Sequence, residues 1–183
     1  MSVEFRDYQE EIIDRGLEVI QSSGFLYLSM EVRTGKTLTA LGICDKLPSV
    51  DRVLFLTKKK AISSITDDSD KLCPHYELWV QNYESIHKLP DLKWDVIVLD
   101  EAHGMGAIPK PSKRAKDVAA LIAKNRPYVI LLSGTPTPES YSQMYHQVYA
   151  IPKNPFSHYK NFYRFADDHV DKKQRMINGV MVN

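Results

Sequence analysis

Three short clusters of polar residues each follow an apolar run, and their types suit phosphate and metal chemistry. The clusters lie at residues 35–37, 100–101 and 133–135. In the first, glycine, lysine and threonine match the second half of a phosphate-binding loop. The Asp-Glu pair of the second has the residue types that hold Mg²⁺ and activate a water molecule. Together the clusters predict chemistry on a nucleoside triphosphate.

The first cluster predicts a loop that binds nucleotide phosphates. Backbone N–H groups at the start of the following helix would hold phosphate oxygens, and the helix dipole favours the negative charge. Lys36 would reach the β- and γ-phosphates, and the Thr37 hydroxyl would ligate Mg²⁺. Met30 stands where the full motif has its first glycine. Taken alone, Gly-Lys-Thr also occurs by chance.

The second cluster supplies the two carboxylates that hydrolysis needs. Asp100 follows four apolar residues, and we predict that it holds the metal ion, usually through water. The adjacent Glu101 would orient and deprotonate the attacking water, which makes it the predicted base. An arbitrary Asp-Glu pair more often caps a helix or faces solvent. The apolar run favours the functional interpretation, because it aims the pair at the same edge as Lys36.

Short apolar runs alternate with longer amphipathic segments, and these elements must position the clusters. Residues 96–99 and 128–132 are apolar without alternation, as expected of strands in a parallel sheet with helices on both faces. Segments that begin at Phe5, Lys36 and Lys110 have apolar residues at helical spacing. The alternation predicts an α/β fold with a mostly parallel, twisted sheet.

The ligand site of such a sheet lies beyond the carboxyl ends of its strands. We therefore expect Lys36, Asp100 and Glu101 to meet across neighbouring strand ends around one Mg²⁺-triphosphate. A further helix is predicted near the end of the chain, where aromatic and apolar residues recur at helical spacing over 141–151.

Length, charge and cysteine usage exclude several classes of protein. The 183 residues suit one domain of ordinary size, predicted over 1–151, with the aromatic and charged segment 152–183 as a C-terminal extension. The 24 basic and 23 acidic residues leave a net charge of +1, so any nucleic-acid surface must be local. Cys44 and Cys73 lack metal-ligand spacing and indicate reduced thiols. No apolar stretch approaches the ~20 residues of a membrane span.

The joint occurrence of these pieces resembles the superfamily 2 helicases and translocases, and within them the Swi/Snf-type ATPases, especially short phage and prokaryotic forms. FRDYQEE is similar to the family's adenine-recognition motif, MEVRTGKT to motif I, LDEAH to motif II and LSGTPT to motif III. The resemblance runs from about residue 5 to about residue 165. It implies a RecA-like P-loop domain.

The resemblance implies roles for further residues around the nucleotide. Gln9 would read the adenine edge, with Arg6 nearby. Arg33 and Thr34 would belong to the nucleotide-binding loop with Gly35. Arg33 stands where most relatives carry glycine, and arginine tolerates a positive φ poorly.

The third cluster is implied to couple the nucleotide site to the rest of the protein. Ser133 and Thr135, with Gly134 between them, would sense the phosphates and relay their state. His103 would bridge the acid pair to Thr135 by hydrogen bonding. Without the resemblance, this cluster is interpreted as a plain turn, and His103 as a partly buried histidine.

A basic segment is the predicted contact to nucleic acid, because backbone phosphates need positive charge and no particular base. The segment consists of Lys58, Lys59 and Lys60. It falls where motif Ia contacts the nucleic-acid backbone; without the resemblance it is a solvated helix start. A second basic group is more economically a charged helix face: Lys110, Lys113, Arg114 and Lys116. The aromatic residues of 156–165 are most simply packing against the domain.

The family implies an ATP-driven motor on double-stranded DNA, with ATP and Mg²⁺ as cofactors, in the cytoplasm of a bacterial cell or a phage-infected host. Relatives clamp the nucleotide between two RecA-like lobes, and the second lobe supplies an arginine finger worth ~10³-fold or more in rate. We predict that this chain, without that lobe, binds ATP weakly and hydrolyses it slowly. A strand-separating RNA or DNA helicase is one alternative. A single-lobe regulatory or decoy module that binds nucleotide or DNA without turnover is the other.

Overall fold

A computed structural model describes most of the chain. The described residues are 4–31, 33–171, 175–177 and 180–182. The strands are β1 (Phe25–Ser29), β2 (Arg52–Thr57), β3 (Glu77–Asn82), β4 (Val96–Leu99), β5 (Tyr128–Ser133), β6 (Arg175–Ile177) and β7 (Val180–Val182). The α-helices are α1 (Asp7–Ser23), α2 (Lys36–Lys46), α3 (Ile62–Leu72), α4 (Lys113–Asn125), α5 (Met144–Gln147) and α6 (Phe162–His169).

The first five strands form one sheet in which every pair is parallel. Their order is β1-β5-β4-β2-β3, while β6 and β7 form a separate antiparallel pair. The predicted α/β fold with a mostly parallel sheet is confirmed. The expectation that Lys36, Asp100 and Glu101 follow neighbouring strands is wrong in that one respect, because β5 lies between β1 and β4.

Helices cover both faces of the sheet, which explains why its inner strands carry no polar alternation. In β4, Val96 and Val98 pack into the core formed with α1, α2 and α3, while Ile97 and Leu99 pack into the core formed with α4. All four side chains are fully buried. Because successive side chains of a strand point to opposite faces, only the strand ends are free to carry polar groups.

The predicted helix over 141–151 is shorter in the structure. A single 3₁₀ turn over Tyr141–Gln143 leads into α5, which ends at Gln147. Two features limit the helix: Val148 leaves the helical conformation, and Pro152 has no backbone N–H to continue it. The buried residues Val148 and Ile151 instead pack against the α4 face of the sheet.

Three phenylalanines after Ile151 pack against one another or against α5, as predicted: Phe156, Phe162 and Phe165. Phe165 is fully buried, with its ring centroid 5.1 Å from that of Tyr145 and 4.7 Å from that of Phe156. The domain boundary at residue 151 stays a prediction. None of the described helices is long and apolar enough to cross a bilayer.

Phe165→Ala tests whether this aromatic packing belongs to the cooperative core. We expect the free energy of unfolding to fall by about 3–5 kcal/mol, because the substitution empties a fully buried site. Tyr163→Ala on the same helix, where the ring is 60% exposed, is the control and changes it by less than about 0.5 kcal/mol. Urea denaturation measures both. Equal losses in the two variants would contradict the assignment of Phe165 to the core.

A second prediction concerns the buried His146, whose Nδ1 lies 2.7 Å from the Ala107 carbonyl oxygen. Burial lowers the pKa of His146, and this hydrogen bond, which raises the pKa, does not cancel the effect of burial. The unfolded chain therefore takes up the proton first as the pH falls. We expect the free energy of unfolding to decrease as the pH drops below about 6.5, the ordinary histidine pKa, until the lower folded pKa is passed.

His146→Gln removes this contribution. Urea denaturation at a series of pH values is expected to show a shallower decline for the variant than for the wild type over that window. Parallel curves for the two proteins would show that the histidine makes no contribution to the pH dependence.

Candidate active site

The loop between β1 and α2 has two residues in the left-handed backbone region. Arg33 has a φ of 67° and Gly35, which precedes α2, a φ of 80°. For glycine this conformation is free of strain, whereas for arginine it costs about 1–2 kcal/mol. The Thr34 hydroxyl donates to the Glu31 carbonyl oxygen at 2.7 Å and closes the turn. Lys36 and Thr37, both half-buried, are the first residues of α2.

The start of α1 lies directly against this loop. Gln9 is buried, its Oε1 accepts from the Arg6 backbone N–H at 3.1 Å, and its Nε2 donates to the Gly35 carbonyl oxygen at 3.4 Å. A Cβ at residue 35 would lie 2.4 Å from Gln9 Nε2, so the contact requires glycine there. The Tyr8 hydroxyl accepts from Arg6 Nη1 and donates to the Thr34 carbonyl oxygen. Adenine recognition by Gln9 and Arg6 stays a prediction.

Asp100 follows β4 and is held by hydroxyl groups from two other segments. Thr57, the last residue of β2, donates to Asp100 Oδ2 at 2.6 Å. The Tyr83 hydroxyl donates to the Asp100 carbonyl oxygen, also at 2.6 Å. Sequence reasoning missed both residues. The available signal for Thr57 was a polar residue that ends an apolar strand at the same edge of the sheet.

Lys36 is one of the groups that affect the pKa of Asp100. Burial raises the pKa of the Asp100 carboxyl above its ordinary value, and the charge of Glu101 also raises it. The hydrogen bond from Thr57 and the charge of Lys36 lower the pKa without cancelling the effect of burial. Lys36, which begins the helix after β1, thus interacts with Asp100, which follows β4, although β5 lies between these two strands.

A chain of contacts leads from Glu101 to the third cluster. Glu101 has a φ of 51°, and its Oε2 lies 3.2 Å from His103 Nε2. His103 Nδ1 lies 2.9 Å from Ser133 Oγ, which accepts from the Thr135 backbone N–H at 3.1 Å. This arrangement suits a Ser133 hydroxyl that donates to Nδ1, which leaves the proton on Nε2 to face Glu101.

The predicted hydrogen bond from His103 to Thr135 is therefore wrong, because the hydrogen-bond partner of His103 is Ser133. Ser133 is the last residue of β5, the neighbour of β4, so its side chain faces the turn that follows Asp100. The chain turns away at Gly134, and the Thr135 side chain is exposed.

A buried glutamine holds the loop after Ser133 and was also missed from sequence. Gln147 is 1% exposed; its Oε1 accepts from the Tyr27 hydroxyl at 2.5 Å, and its Nε2 donates to the Pro136 carbonyl oxygen at 2.6 Å. Burial raises the pKa of Tyr27 to about 12, with a hydrogen bond to Ser133 lowering it. The third cluster is thus tied both to β1 and to α5.

The three lysines of the predicted nucleic-acid contact are exposed and follow Thr57 directly. They lead through a 3₁₀ turn over Lys59–Ala61 into α3. Among the ion pairs of the described residues, none involves these lysines. The second basic group differs, because Lys113 pairs with Asp117 at 3.1 Å and Arg114 with Glu84 at 2.8 Å, as expected of a charged helix face.

The donor set at this edge fits Mg²⁺ held jointly with a nucleotide. Within the described part of the chain, no group of three or more His, Cys, Asp or Glu residues could hold a metal ion alone. Mg²⁺ prefers oxygen ligands and is commonly bound by one or two side chains together with substrate phosphates and water. The Asp100 carboxylate and the Thr37 hydroxyl are oxygen donors of that kind.

The chain is similar to several known proteins. The structure of the Sulfolobus solfataricus SWI2/SNF2 ATPase core in complex with dsDNA superimposes with a TM-score of 0.75 at 16% identity, covering 91% of this chain and 39% of that chain. A nuclease-deletion mutant of the Type ISP restriction-modification enzyme LlaGI, in complex with a DNA substrate mimic, gives 0.52 at 17% identity over 73% of this chain and 18% of that one.

The RNA polymerase-associated protein RapA of Yersinia pestis is 28% identical over 82 residues, which are 45% of this chain and 8% of that protein. The chain therefore matches only a small part of the length of this relative. The family model of the SNF2-related domain matches residues 28–181, well over half of the chain. The chain therefore belongs to the SNF2-related domain family, and its fold is that of the first RecA-like lobe of a SWI2/SNF2 ATPase core.

Proposed function

We propose that this chain binds Mg-ATP and acts as the nucleotide-binding lobe of an ATP-driven translocase on double-stranded DNA. Members of the SNF2 family are DNA-dependent ATPases. The observation that carries the proposal is the position of the Asp100 carboxylate, which is partly buried at the carboxyl edge of the sheet, is fixed by the Thr57 hydroxyl at 2.6 Å, and has its pKa lowered by the charge of Lys36. A partly buried carboxylate and a lysine at the start of a helix, both at one edge of the sheet, suit the binding of a Mg-triphosphate.

In the proposed site, each group at the sheet edge has one task. Lys36 contacts the β- and γ-phosphates, and the N–H groups at the start of α2 bind phosphate oxygens. Thr37 and Asp100 hold Mg²⁺, which when bound neutralises charge on the phosphates. Glu101 orients the attacking water and accepts its proton. The proximity of Glu101 Oε2 to His103 Nε2 supports this role, because it fixes the carboxylate.

We propose that Ser133, Gly134 and Thr135 report the state of this site to the rest of the lobe. The support is the path from Glu101 through His103 to Ser133 Oγ. A change at the base alters the hydrogen bonds of His103, and these reach the backbone of Thr135 through Ser133. The contact from Gln147 to the Pro136 carbonyl oxygen connects the same loop to α5.

Duplex DNA is the proposed partner, and the segment of Lys58, Lys59 and Lys60 its proposed contact. The exposure of this segment at the carboxyl edge of the sheet supports a contact to backbone phosphates. The solved Sulfolobus core is a complex with dsDNA, which supports duplex over single strands. The bacterial RapA relatives support a cytoplasmic location.

Full turnover is proposed to need a second lobe that supplies an arginine to the γ-phosphate. The matched region covers 39% of the Sulfolobus core, which supports a role as one part of a larger motor. We expect this chain by itself to bind ATP weakly and to hydrolyse it slowly. A module that binds without any turnover is the alternative, and hydrolysis by the wild-type chain would exclude it.

Lys36→Ala tests the phosphate loop. We expect Mg-ATP binding, measured by isothermal titration calorimetry, to be lost, because the substitution removes the cation that contacts the β- and γ-phosphates. Lys46→Ala is the control, since Lys46 lies on the same helix and pairs with Asp14 on the surface. Unchanged affinity in the Lys36 variant would remove the loop from the proposed site.

Glu101→Gln tests the base. We expect the variant to bind Mg-ATP with nearly the affinity of the wild type and to hydrolyse it about 10²–10⁴-fold more slowly. Single-turnover hydrolysis in the presence of duplex DNA measures the rate. A variant as fast as the wild type would exclude Glu101 as the base.

Simultaneous substitution of Lys58, Lys59 and Lys60 by alanine tests the DNA contact. We expect weaker duplex binding, irrespective of base sequence. The slope of log affinity against log salt concentration should become shallower by about 0.9 for each DNA phosphate that the variant no longer neutralises. Lys124→Ala is the control, because this exposed lysine lies in the last turn of α4, away from the carboxyl edge. Fluorescence anisotropy over a salt series distinguishes the two, and an unchanged slope in the triple variant would contradict the proposal.

A further inference from the structure

Thr57 combines three properties that the proposed function leaves unexplained. It is fully buried at the end of β2, its hydroxyl contacts a carboxylate proposed to hold the metal ion, and it directly precedes the exposed lysine segment, residues 58–60. The four residues before it in β2 are buried and apolar. A valine of the same shape would serve the packing, so the hydroxyl has a purpose other than filling the core.

We propose that Thr57 is a positioning residue that orients the Asp100 carboxylate for Mg²⁺ and links this carboxylate to contacts made by the lysine segment. The inference rests on the proposed function. A hydrogen bond to an ionised group is short and strongly directional, and the 2.6 Å contact to Oδ2 has this length. A carboxylate has about four acceptor sites, so this bond leaves room for a cation.

The backbone places the two residues in register. Leu56 pairs with Leu99 between β2 and β4, and the Asp100 backbone N–H donates to the Leu56 carbonyl oxygen at 2.9 Å. Thr57 and Asp100 each come directly after one residue of this last pair, and Thr57 also pairs with Asn82 of β3, so the sheet holds Thr57 beside Asp100. The orientation of the carboxylate is therefore set by a rigid element, as a preorganised site requires.

A second hydroxyl fixes the main chain of Asp100 separately. Tyr83 is buried and donates to the Asp100 carbonyl oxygen, and the guanidinium carbon of Arg114 lies 4.6 Å from the centre of its ring. Because the main chain is anchored in this way, a displacement of Thr57 changes the direction of the carboxylate instead of moving the whole turn.

The lysine segment is joined to Thr57 without an intervening flexible residue. The Lys58 carbonyl oxygen accepts from the Ala61 backbone N–H at 2.9 Å, which makes residues 58–61 one closed turn. A duplex that pulls on the lysines therefore displaces the backbone next to Thr57. The displacement reaches the Asp100 carboxylate through the hydrogen bond from the Thr57 hydroxyl, so DNA binding and metal binding become coupled.

Thr57→Val, which keeps the side-chain shape and removes the hydroxyl, tests the inference. The measurement is the Mg²⁺ concentration that half-saturates the Mg²⁺-dependent part of ADP binding, obtained by calorimetry on this chain. We expect this concentration to rise about 10–100-fold, the usual effect of removing a hydrogen-bond partner of a ligating side chain. ADP binding in EDTA is expected to stay unchanged, whereas general damage to the loop would reduce it.

Two variants control for the substitution. Thr57→Ser keeps the hydroxyl and is expected to restore the wild-type Mg²⁺ dependence. Thr66→Val makes the same change at an exposed threonine of α3 and is expected to have no effect. Thermal unfolding verifies that each variant is folded, and Thr57→Ala removes the same donor if the valine variant does not fold.

The link to DNA is tested by repeating the titration with a short duplex present. In the wild type and in Thr57→Ser, the duplex is expected to shift the half-saturating Mg²⁺ concentration, and in Thr57→Val the shift is expected to disappear. A valine variant with wild-type Mg²⁺ dependence, or with the shift intact, overturns the inference while the proposed function stands. A wild-type chain that binds no Mg-nucleotide overturns the proposed function, and this inference with it.

Discussion

Parallel pairing of five strands is the constraint on which the rest of this structure depends. The inner strands are buried on both faces, so a polar side chain within them would lose its contact with water. Polar residues can stand only where the strands end, and parallel pairing brings all the carboxyl ends to one edge. The phosphate loop, the acid pair and the third cluster therefore share one surface, although they are far apart in the chain.

The partial burial of Asp100 carries an electrostatic cost at that edge. A carboxylate in such a place needs donors and positive charge, and Thr57 and Lys36 supply them in part. Burial still raises the pKa of Asp100, so a further positive charge nearby would stabilise its ionised carboxylate. A bound Mg²⁺ would supply that charge, and this is the physical reason why a costly group at this position suits a metal site.

The third cluster shows how a loop acquires a fixed shape from elements outside it. Ser133 Oγ joins His103 to the Thr135 backbone, and Gln147 ties Pro136 to Tyr27 of β1. The residues that follow α5 contribute indirectly, because their rings pack on that helix. The sequence after the third cluster is thus part of the support of the proposed site, with Phe165 fully buried at the centre of the aromatic group.

Local patterns in the sequence were enough to predict the strands and helices and the chemistry of the residues at the strand ends. Apolar runs such as residues 96–99 predicted buried strands, and the types of Lys36, Asp100 and Glu101 predicted phosphate and metal chemistry, because such patterns depend only on nearby residues. The tertiary structure alone decided that β5 separates β1 from β4, that His103 meets Ser133, and that Thr57 holds Asp100. These facts depend on strand order and register, which join residues 30 to 43 positions apart, and no local pattern encodes such distances.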